Sequence, residues 1–255
     1  PDWETMDPDV KRDEIRRMQV YAAMIDRVDQ NIGRLLDKLE TIGRLNNTLI
    51  IFASDNGASA EVVRKGDGEI GNIDRWSSQC GRWANVSNTP LRKFKNFSYE
   101  GGINTPMIAW WPKRIAPGSI TDFPGHFIDI MPTLVELSGA EYPEQFDGKR
   151  ITPFQGVSLV PTLMGEDVNR EKPLFWQWSK GRAVRDGKWK LISQAGAQPK
   201  WELYDMEADR TELTDVASKF SDRARTMAEM WQEWYDNCAT LTELSAHTPP
   251  ADASP

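Results

Sequence analysis

Residues 11–42 carry apolar side chains at steps of three and four, with charged side chains on the remaining positions, which is the repeat of an amphipathic α-helix. Asp7 and Pro8 precede this run as an N-cap and a first helical residue, and Gly43 stands where the helix would end. The apolar positions are Met18, Tyr21, Ala22, Ile25, Val28, Ile32, Leu35, Leu36 and Leu39. The pattern predicts one long helix near the start of the chain.

A short apolar run, residues 48–53, follows this helix after a turn at residues 45–47. The run is rich in β-branched residues and does not alternate with polar ones, which favours a strand buried on both faces, as in a parallel sheet. A second such run spans residues 106–111 and is ended by Pro112. A helix, a tight turn and a buried strand form half of a βαβ unit, so the sequence predicts an α/β domain.

Two further regions complete this domain, which we predict to span residues 1–165. Residues 57–88 lack periodicity and contain several glycines, so we predict a long surface loop. Trp76 and Trp83 lie in it and either form a rim for an aryl or sugar group or anchor the loop to the body of the protein. Residues 126–137 have helical spacing, and Ser138 and Gly139 end that helix.

The pattern changes after residue 165, where short strands alternate with turns. Asp186-Gly187 is a strong two-residue hairpin signal. Residues 221–237 have the spacing of a helix, and the polar, proline-rich end of the chain, from residue 240, is predicted to fray. The predicted strands are 174–178, 182–185, 189–193 and 201–204. We therefore predict a small α+β subdomain over residues 166–240, with an antiparallel sheet and a terminal helix, and a tail over residues 241–255.

Composition and charge exclude some classes of function. The chain has 255 residues, of which 39% are hydrophobic and 10% aromatic, as expected of a folded globular protein. A net charge of −7 gives no support to a nucleic-acid partner and requires local positive charge at any site for an anion. No apolar run reaches the length of a membrane span and no signal peptide is visible, although Pro1 is not a natural start. Cys80 and Cys238 are predicted to be free thiols.

Asp55 and Asn56 directly follow the first predicted strand, within Ser54-Asp55-Asn56-Gly57. Ligands of open α/β sheets bind beyond the carboxyl ends of strands, and these two side chains offer the hard oxygen ligands that suit Ca²⁺ or Mg²⁺. Asp-Asn-Gly is also ordinary turn chemistry, with glycine permitting a sharp change of direction. These residues alone leave a metal site and a simple turn as alternatives.

Lys93 and Lys95 lie in a second polar segment, residues 89–102, which ends in Glu100-Gly101-Gly102. If residues 92–95 are extended, alternate side chains point to opposite faces, so that one lysine could turn inward while its neighbour is solvated. An inward lysine beside a metal would hold an anionic group. The alternative is a solvated basic strand.

Taken together in their order, these motifs resemble the sulfatase family of the alkaline-phosphatase-like superfamily, most closely bacterial arylsulfatases. The matching segments are residues 21–33, 48–57, 89–102, 126–134, 156–159, 182–191 and 202–205. The resemblance implies an α/β fold with helices around a mostly parallel sheet, of which this chain is the C-terminal part. It also implies that Asp55 and Asn56 are metal ligands, normally for Ca²⁺ with Mg²⁺ as a second candidate, and that Lys95 binds the sulfate group. Lys95 is preferred to Lys93 because of its distance from Glu100 in the sequence.

The sulfatase nucleophile is a formylglycine made from the first residue of a Cys/Ser-x-Pro/Ala-x-Arg motif, and this motif is missing here. Cys80 and Cys238 lack both required residues, whereas Ser221 has Arg225 at the fifth position but Arg223 in place of Pro or Ala at the third. The resemblance therefore implies that the nucleophile lies upstream, in an N-terminal part of the protein that this chain needs as its partner. A small-molecule sulfate ester is the implied substrate, and the family slightly favours a periplasmic or secreted location. His126 lies in a segment shared with the family, although a histidine that begins a helix is the preferred interpretation.

Two other functions remain open from the sequence. One is a phosphonate monoester or phosphodiester hydrolase of the same superfamily, which would share the metal and the fold. The other is a non-catalytic binding protein built on half of a sulfatase. This chain alone is expected to be inactive as an enzyme in either case.

Overall fold

A computed structural model describes residues 2–194 and 200–246 of the chain, with side chains described up to residue 238. The chain divides into two compact units. The first comprises residues 1–95 and 99–170, and the second comprises residues 96–98 and 171–255. The sequence predicted the boundary between the two domains to lie between residues 165 and 166. None of the helices in the described ranges has an apolar stretch of membrane-spanning length.

The first unit opens with helix α1, Pro8–Thr41. Asp7 caps it, since its carboxylate accepts hydrogen bonds from the backbone N–H groups of Asp9 and Val10, and Pro8 is the first helical residue as predicted. The start of α1 is held by polar contacts, because Arg17 donates to the carbonyl of Ser78 and Glu14 accepts from Cys80. Residues 21–30 are exposed on every side, so the apolar stripe of α1 is largely uncovered.

The remaining elements of the first unit are short. They are the strands β1 Ile50–Ala53, β2 Arg64–Lys65, β3 Trp76–Ser77, β4 Met107–Trp110, β5 Gln145–Phe146 and β6 Lys149–Arg150, the helices α2 Cys80–Asn88, α3 Glu100–Ile103, α4 Ile130–Ser138 and α5 Val160–Leu163, and two 3-10 turns at Leu45–Asn47 and Phe127–Asp129. β1 pairs with β4, β2 with β3 and β5 with β6, each antiparallel.

Two sequence predictions for this unit are wrong. β1 and β4 pair antiparallel with each other, and neither is buried, with Phe52 and Ile108 both exposed. The apolar composition that indicated burial on both faces therefore lies on a surface that the described part of the chain leaves open. The second error is the long loop over residues 57–88, which instead contains a hairpin, β2–β3, and the whole of α2.

A buried ion pair joins distant segments of the first unit. The guanidinium of Arg170 contacts both oxygens of Asp129, at 2.6 and 2.9 Å. The same carboxylate accepts from the backbone N–H groups of His126 and Val157. Because the side chain of Asp129 is fully buried, these bonds satisfy a charge that would otherwise be costly.

The second unit is a four-stranded antiparallel sheet packed against a helix. The strands are β7 Leu174–Trp178, β8 Gly181–Asp186, β9 Trp189–Ser193 and β10 Glu202–Asp205, and the helix is α6 Ser221–Ala246. The sheet order is β10-β9-β8-β7, with every pair antiparallel, as predicted. The β8–β9 turn consists of Gly187, which has a positive φ of 55°, and Lys188, one residue later than predicted. α6 extends beyond residue 237 to Ala246, so the first part of the predicted frayed tail is helical, whereas residues 247–255 lie outside the described residues.

The core of this unit lies between the sheet and α6. It is formed by Val184, Leu191, Leu203, Met227 and Trp231, with aromatic side chains packed around it. Trp231 donates its indole N–H to the carbonyl of Trp176, which fixes α6 against β7. On the opposite face of β9 from Leu191, Lys190 and Glu212 form a fully buried ion pair at 2.8 Å.

Candidate functional site

The turn Ser54–Gly57 directly follows β1, as predicted. Ser54 fixes its shape, because the Ser54 hydroxyl donates to the carbonyl of Asn56 and the Ser54 carbonyl accepts from the hydroxyl of Thr105. Asp55 is exposed and Asn56 is half-buried. The Asn56 amide donates through Nδ2 to the carbonyl of Gly57, which leaves Oδ1 as the electron-pair donor of this side chain.

Gly57 is required by close packing. Its backbone N–H donates to the carbonyl of Gly102 at 3.0 Å, and a Cβ at this position would lie 1.8 Å from the carbonyl oxygen of Gly101. Its φ is not positive, so the sharp turn expected from the sequence is not the reason for glycine here. Gly101 shows the same constraint, since its Cβ would lie 2.1 Å from the carbonyl oxygen of Lys93. The absence of side chains in Gly101-Gly102 therefore lets this segment pack closely against the Ser54–Gly57 turn.

Lys95 is joined to the same turn through its backbone, whose N–H donates to the carbonyl of Ala58 at 3.0 Å. Its side chain is partly buried, and its Nζ lies 3.5 Å from an oxygen of Glu61. Lys93, by contrast, is exposed and has a positive φ of 65°. Residues 92–95 form bends rather than a strand, so the alternation used to separate the two lysines does not apply. The side chain of Lys95 is partly buried whereas that of Lys93 is exposed, and this difference is a separate reason for preferring Lys95 as the anion-binding candidate.

The structure thus brings the Asp55–Asn56 turn and the Lys95 segment together, although the sequence separates them by the whole region 57–88. The two oxygen donors are the chemistry that Ca²⁺ prefers, but two are fewer than the roughly 6 to 8 that this ion takes. Within the described residues, no group of three or more His, Cys, Asp or Glu side chains could hold a metal. The chain therefore presents two adjacent oxygen donors directly after β1.

A cavity of about 480 Å³ opens beside Asn56, with mostly polar side chains in its wall. Arg17, Asn88 and Thr105 contribute polar groups, and Tyr21 and Met24 contribute apolar surface from α1. Asp55 and Lys95 are not among the lining residues. The size is within the range of small-molecule sites in proteins.

His126 begins a helical segment, which confirms the preferred interpretation. The imidazole Nδ1 of His126 accepts a hydrogen bond from the backbone N–H of Ile128. The backbone N–H of His126 donates to the carboxylate of Asp129, and the two bonds form a capping box. Burial lowers the pKa of His126, as does the nearby charge of Arg170, while Asp129 acts in the opposite direction. A neutral imidazole is what the cap needs, because only an unprotonated Nδ1 can accept a hydrogen bond.

Neither Cys80 nor Cys238 forms a disulfide, as predicted. Burial raises the pKa of the Cys80 thiol, and its hydrogen bond to Glu14 acts in the same direction. A neutral, partly buried thiol is a poor nucleophile. The structure therefore agrees with the motif search, which found no nucleophile at this position.

The two tryptophans of the region 57–88 have different environments. The indole N–H of Trp83 donates to the carbonyl of Glu14 in α1, and its ring meets the edge of Trp3. This side chain anchors α2 to α1. Trp76 lies in the β2–β3 hairpin and is 65% exposed.

Comparison with known proteins identifies the family. The family model described as Sulfatase matches residues 2–140, and the model described as N-sulphoglucosamine sulphohydrolase, C-terminal, matches residues 93–239. The chain belongs to the sulfatase family. It is 34% identical over 249 residues to an uncharacterised sulfatase of Schizosaccharomyces pombe, covering 90% of this chain and 45% of that protein.

Two other sulfatases are similar to this one. An arylsulfatase of Klebsiella aerogenes is 35% identical, over 62% of this chain and 37% of its own length. An N-acetylglucosamine-6-O-sulfatase of Bacteroides thetaiotaomicron is 30% identical, over 84% of this chain and 34% of its own length. This sulfatase chain thus spans less than half the length of the relatives it matches.

Solved structures confirm the fold. The crystal structure of Ps i-CgsB has a TM-score of 0.65 and 26% identity, covering 84% of this chain and 42% of that one. A protein solved with its substrate D-glucosamine-2-N,6-O-disulfate has a TM-score of 0.57 and 26% identity, covering 90% of this chain and 41% of that one. The fold is therefore the α/β fold of sulfatases, of which this chain forms a C-terminal portion.

Proposed function

We propose that the full-length protein hydrolyses sulfate esters of small molecules, in the manner of arylsulfatases, and that this chain supplies part of its active site. The observation that carries the proposal is the backbone bond from Lys95 to Ala58, which joins the lysine segment to the turn bearing Asp55 and Asn56. The family membership supplies the reaction class. Relatives named for aryl and sugar sulfates support an aryl or sugar ester as the substrate.

The metal site fits the residues that are present. The carboxylate of Asp55 and Oδ1 of Asn56 are oxygen ligands, suited to Ca²⁺ with Mg²⁺ as a second candidate. When bound, the cation would stabilise negative charge on sulfate oxygens and on the attacking group. The remaining ligands would come from outside this chain.

Lys95 would bind the sulfate group. Its partly buried ammonium is a fixed positive charge in a chain of net charge −7, and such a charge holds a sulfate oxygen by a charge-assisted hydrogen bond. Glu61 is its partner in the absence of an anion, so the substrate would replace a carboxylate with a sulfate at the same ammonium. The formylglycine nucleophile would come from the N-terminal part of the protein.

The same N-terminal part is the proposed partner of the uncovered apolar surface of the first unit. This surface comprises one face of α1 and the exposed side chains of β1 and β4. Its large members are Tyr21, Met24, Ile25, Val28, Leu35, Phe52, Met107, Ile108 and Trp110. Exposed large apolar side chains in this number favour an interaction site, and the relatives are more than twice as long as the matched region.

The proposal is tested by comparing Lys95→Ala with Lys93→Ala in the full-length protein. The two substitutions make the same chemical change two residues apart. Loss of Lys95 should lower kcat/KM for an aryl sulfate by about 100- to 1,000-fold, as for other groups that stabilise transition-state charge. Lys93→Ala should change it by less than about threefold, because Lys93 is exposed. Equal losses would mean that Lys95 is not the sulfate ligand.

A second candidate is a phosphonate monoester or phosphodiester hydrolase. A phosphonate monoester hydrolase of Agrobacterium radiobacter shares the fold, with a TM-score of 0.52 and 23% identity over 85% of this chain and 40% of that one. Turnover of 4-nitrophenyl sulfate and of a phosphate diester by the full-length protein would separate the two functions. A dominant phosphodiesterase activity would contradict the sulfatase proposal.

A further inference from the structure

Asn88, the last residue of α2, uses its whole side-chain amide to bind backbone. Its Oδ1 accepts from the N–H of Ala58 at 3.1 Å. Its Nδ2 donates to the carbonyl of Gly101 at 2.7 Å and to the carbonyl of Lys93 at 3.1 Å. The two N–H donors and the carbonyl oxygen of one amide are therefore all engaged.

These three backbone groups belong to the segments that build the candidate site. Ala58 lies two residues after Asn56, and Lys93 lies two residues before Lys95. Gly101 packs directly against Gly57 in the Ser54–Gly57 turn. One side chain therefore connects the turn that carries the metal ligands with the segment that carries the anion-binding lysine.

We infer that Asn88 is a positioning residue of the sulfatase site, which sets the separation between the metal ligands Asp55 and Asn56 and the sulfate-binding Lys95. This inference rests on the proposed function. Asn88 touches neither reacting group through the bonds described and acts through the backbone of Ala58 and Lys93.

The chemistry of the amide explains why asparagine is needed. Ala58 presents a donor, whereas Lys93 and Gly101 present acceptors, so the residue at 88 must accept on one side and donate twice on the other. Aspartate has the same shape but offers oxygens on both sides. An aspartate at position 88 would keep the bond to the N–H of Ala58. Its second carboxylate oxygen cannot donate and would lie against the carbonyl oxygens of Lys93 and Gly101.

The position of the lysine relative to the metal matters because both act on the same sulfate group. A misplacement of about 1 Å can cost about 100-fold in rate, and loss of groups that orient metal ligands costs about 10- to 100-fold. We therefore expect Asn88→Asp to lower kcat/KM of the full-length protein for 4-nitrophenyl sulfate by about 10- to 100-fold. The Ca²⁺ concentration for half-maximal activity should rise in the same variant.

Asn85→Asp is the matched control. Asn85 lies on the same helix, is exposed, and undergoes the same change of one amide to a carboxylate. This variant should keep kcat/KM within about twofold of the wild type. A comparable loss in both variants would show an effect of added charge on α2 and would overturn the inference.

A double-variant cycle separates positioning from general stability. If Asn88 acts through Lys95, the combined Asn88→Asp and Lys95→Ala variant should lose less activity than the product of the two single losses. Losses that simply multiply would overturn the inference, as would a folded Asn88→Asp variant with wild-type kcat/KM. If Asn88→Asp does not fold, Asn88→Ser, which removes the donors without adding charge, is carried through the same cycle with the same criteria.

The wild-type protein is measured first in each series. A wild type that hydrolyses no sulfate ester contradicts the proposed function itself. An active wild type together with an unaffected Asn88→Asp variant contradicts only the role of Asn88.

Discussion

The second unit encloses its apolar side chains between a sheet and α6, whereas α1 of the first unit presents most of its apolar face to solvent. Val184, Leu191 and Met227 are fully buried in the second unit. In the first unit, Ile25 is 51% exposed although it lies on the apolar stripe of a helix. Both regions have amphipathic sequences, so the difference lies in whether the chain itself covers the apolar face.

The segments of the first unit are held together partly by buried polar contacts. Glu14, Arg17, Glu100 and Asp129 are all buried there, and each has a charged or polar partner. Such contacts fix geometry but add little net stability, because burying charges costs much of what their attraction returns. The comparison teaches that the second unit covers its apolar core with its own elements, while the first leaves an apolar surface open, which we propose is covered by further protein.

The largest expected effect tests the core of the second unit. Trp231→Ala removes a buried indole that bonds to Trp176 and packs against Arg182, and it should lower the free energy of unfolding by about 3 to 5 kcal/mol. Trp76→Ala makes the same change at an exposed site and should cost less than about 0.5 kcal/mol. Urea denaturation followed by circular dichroism measures both, and similar losses would remove the distinction between the two sites.

The next effect tests whether the exposed face of α1 has a partner. Ile25→Ala should change the stability of the 255-residue chain by less than about 0.5 kcal/mol, since alanine favours the helix and little is buried. In the full-length protein the same change should cost about 2 to 5 kcal/mol, because the side chain would be buried. Thermal denaturation of the two proteins gives the comparison. Equal tolerance in both would mean that the N-terminal part does not cover this face.

The smallest effect concerns pH and the polar contacts of the first unit. Because burial lowers the pKa of His126, the unfolded chain takes up a proton first as the pH falls through about 6.5. The contribution of neutral His126 to the free energy of unfolding is therefore fully present above that pH. It decreases below that pH by at most about 1.4 kcal/mol per pH unit. His126→Asn keeps a cap acceptor without titrating, so its stability should fall less between pH 7.5 and 5.5. Denaturation midpoints at both pH values measure the difference, and parallel decreases would exclude His126 as the source.

Much of the second unit could be predicted from the sequence. Alternation and turn residues gave β7 and β9 with their observed bounds, because strands and tight turns depend on neighbouring residues. The cap of α1 by Asp7 and the role of His126 followed from local pattern for the same reason. α2 was missed because its small and polar residues lack an apolar repeat, and the missed helix carries Asn88.

The candidate site, too, could be predicted from the sequence only in part. The sequence by itself determined the residue types, namely Asp55 and Asn56 after a strand and a lysine near Glu100-Gly101-Gly102, because chemistry resides in side chains and their order. Tertiary structure decided which groups meet. The approach of Gly57 to Gly101, the bond from Lys95 to Ala58 and the bond from Ala58 to Asn88 all join residues far apart along the chain. The reason is physical: contacts between distant segments depend on how the backbone packs, and no local repeat in the sequence records that packing.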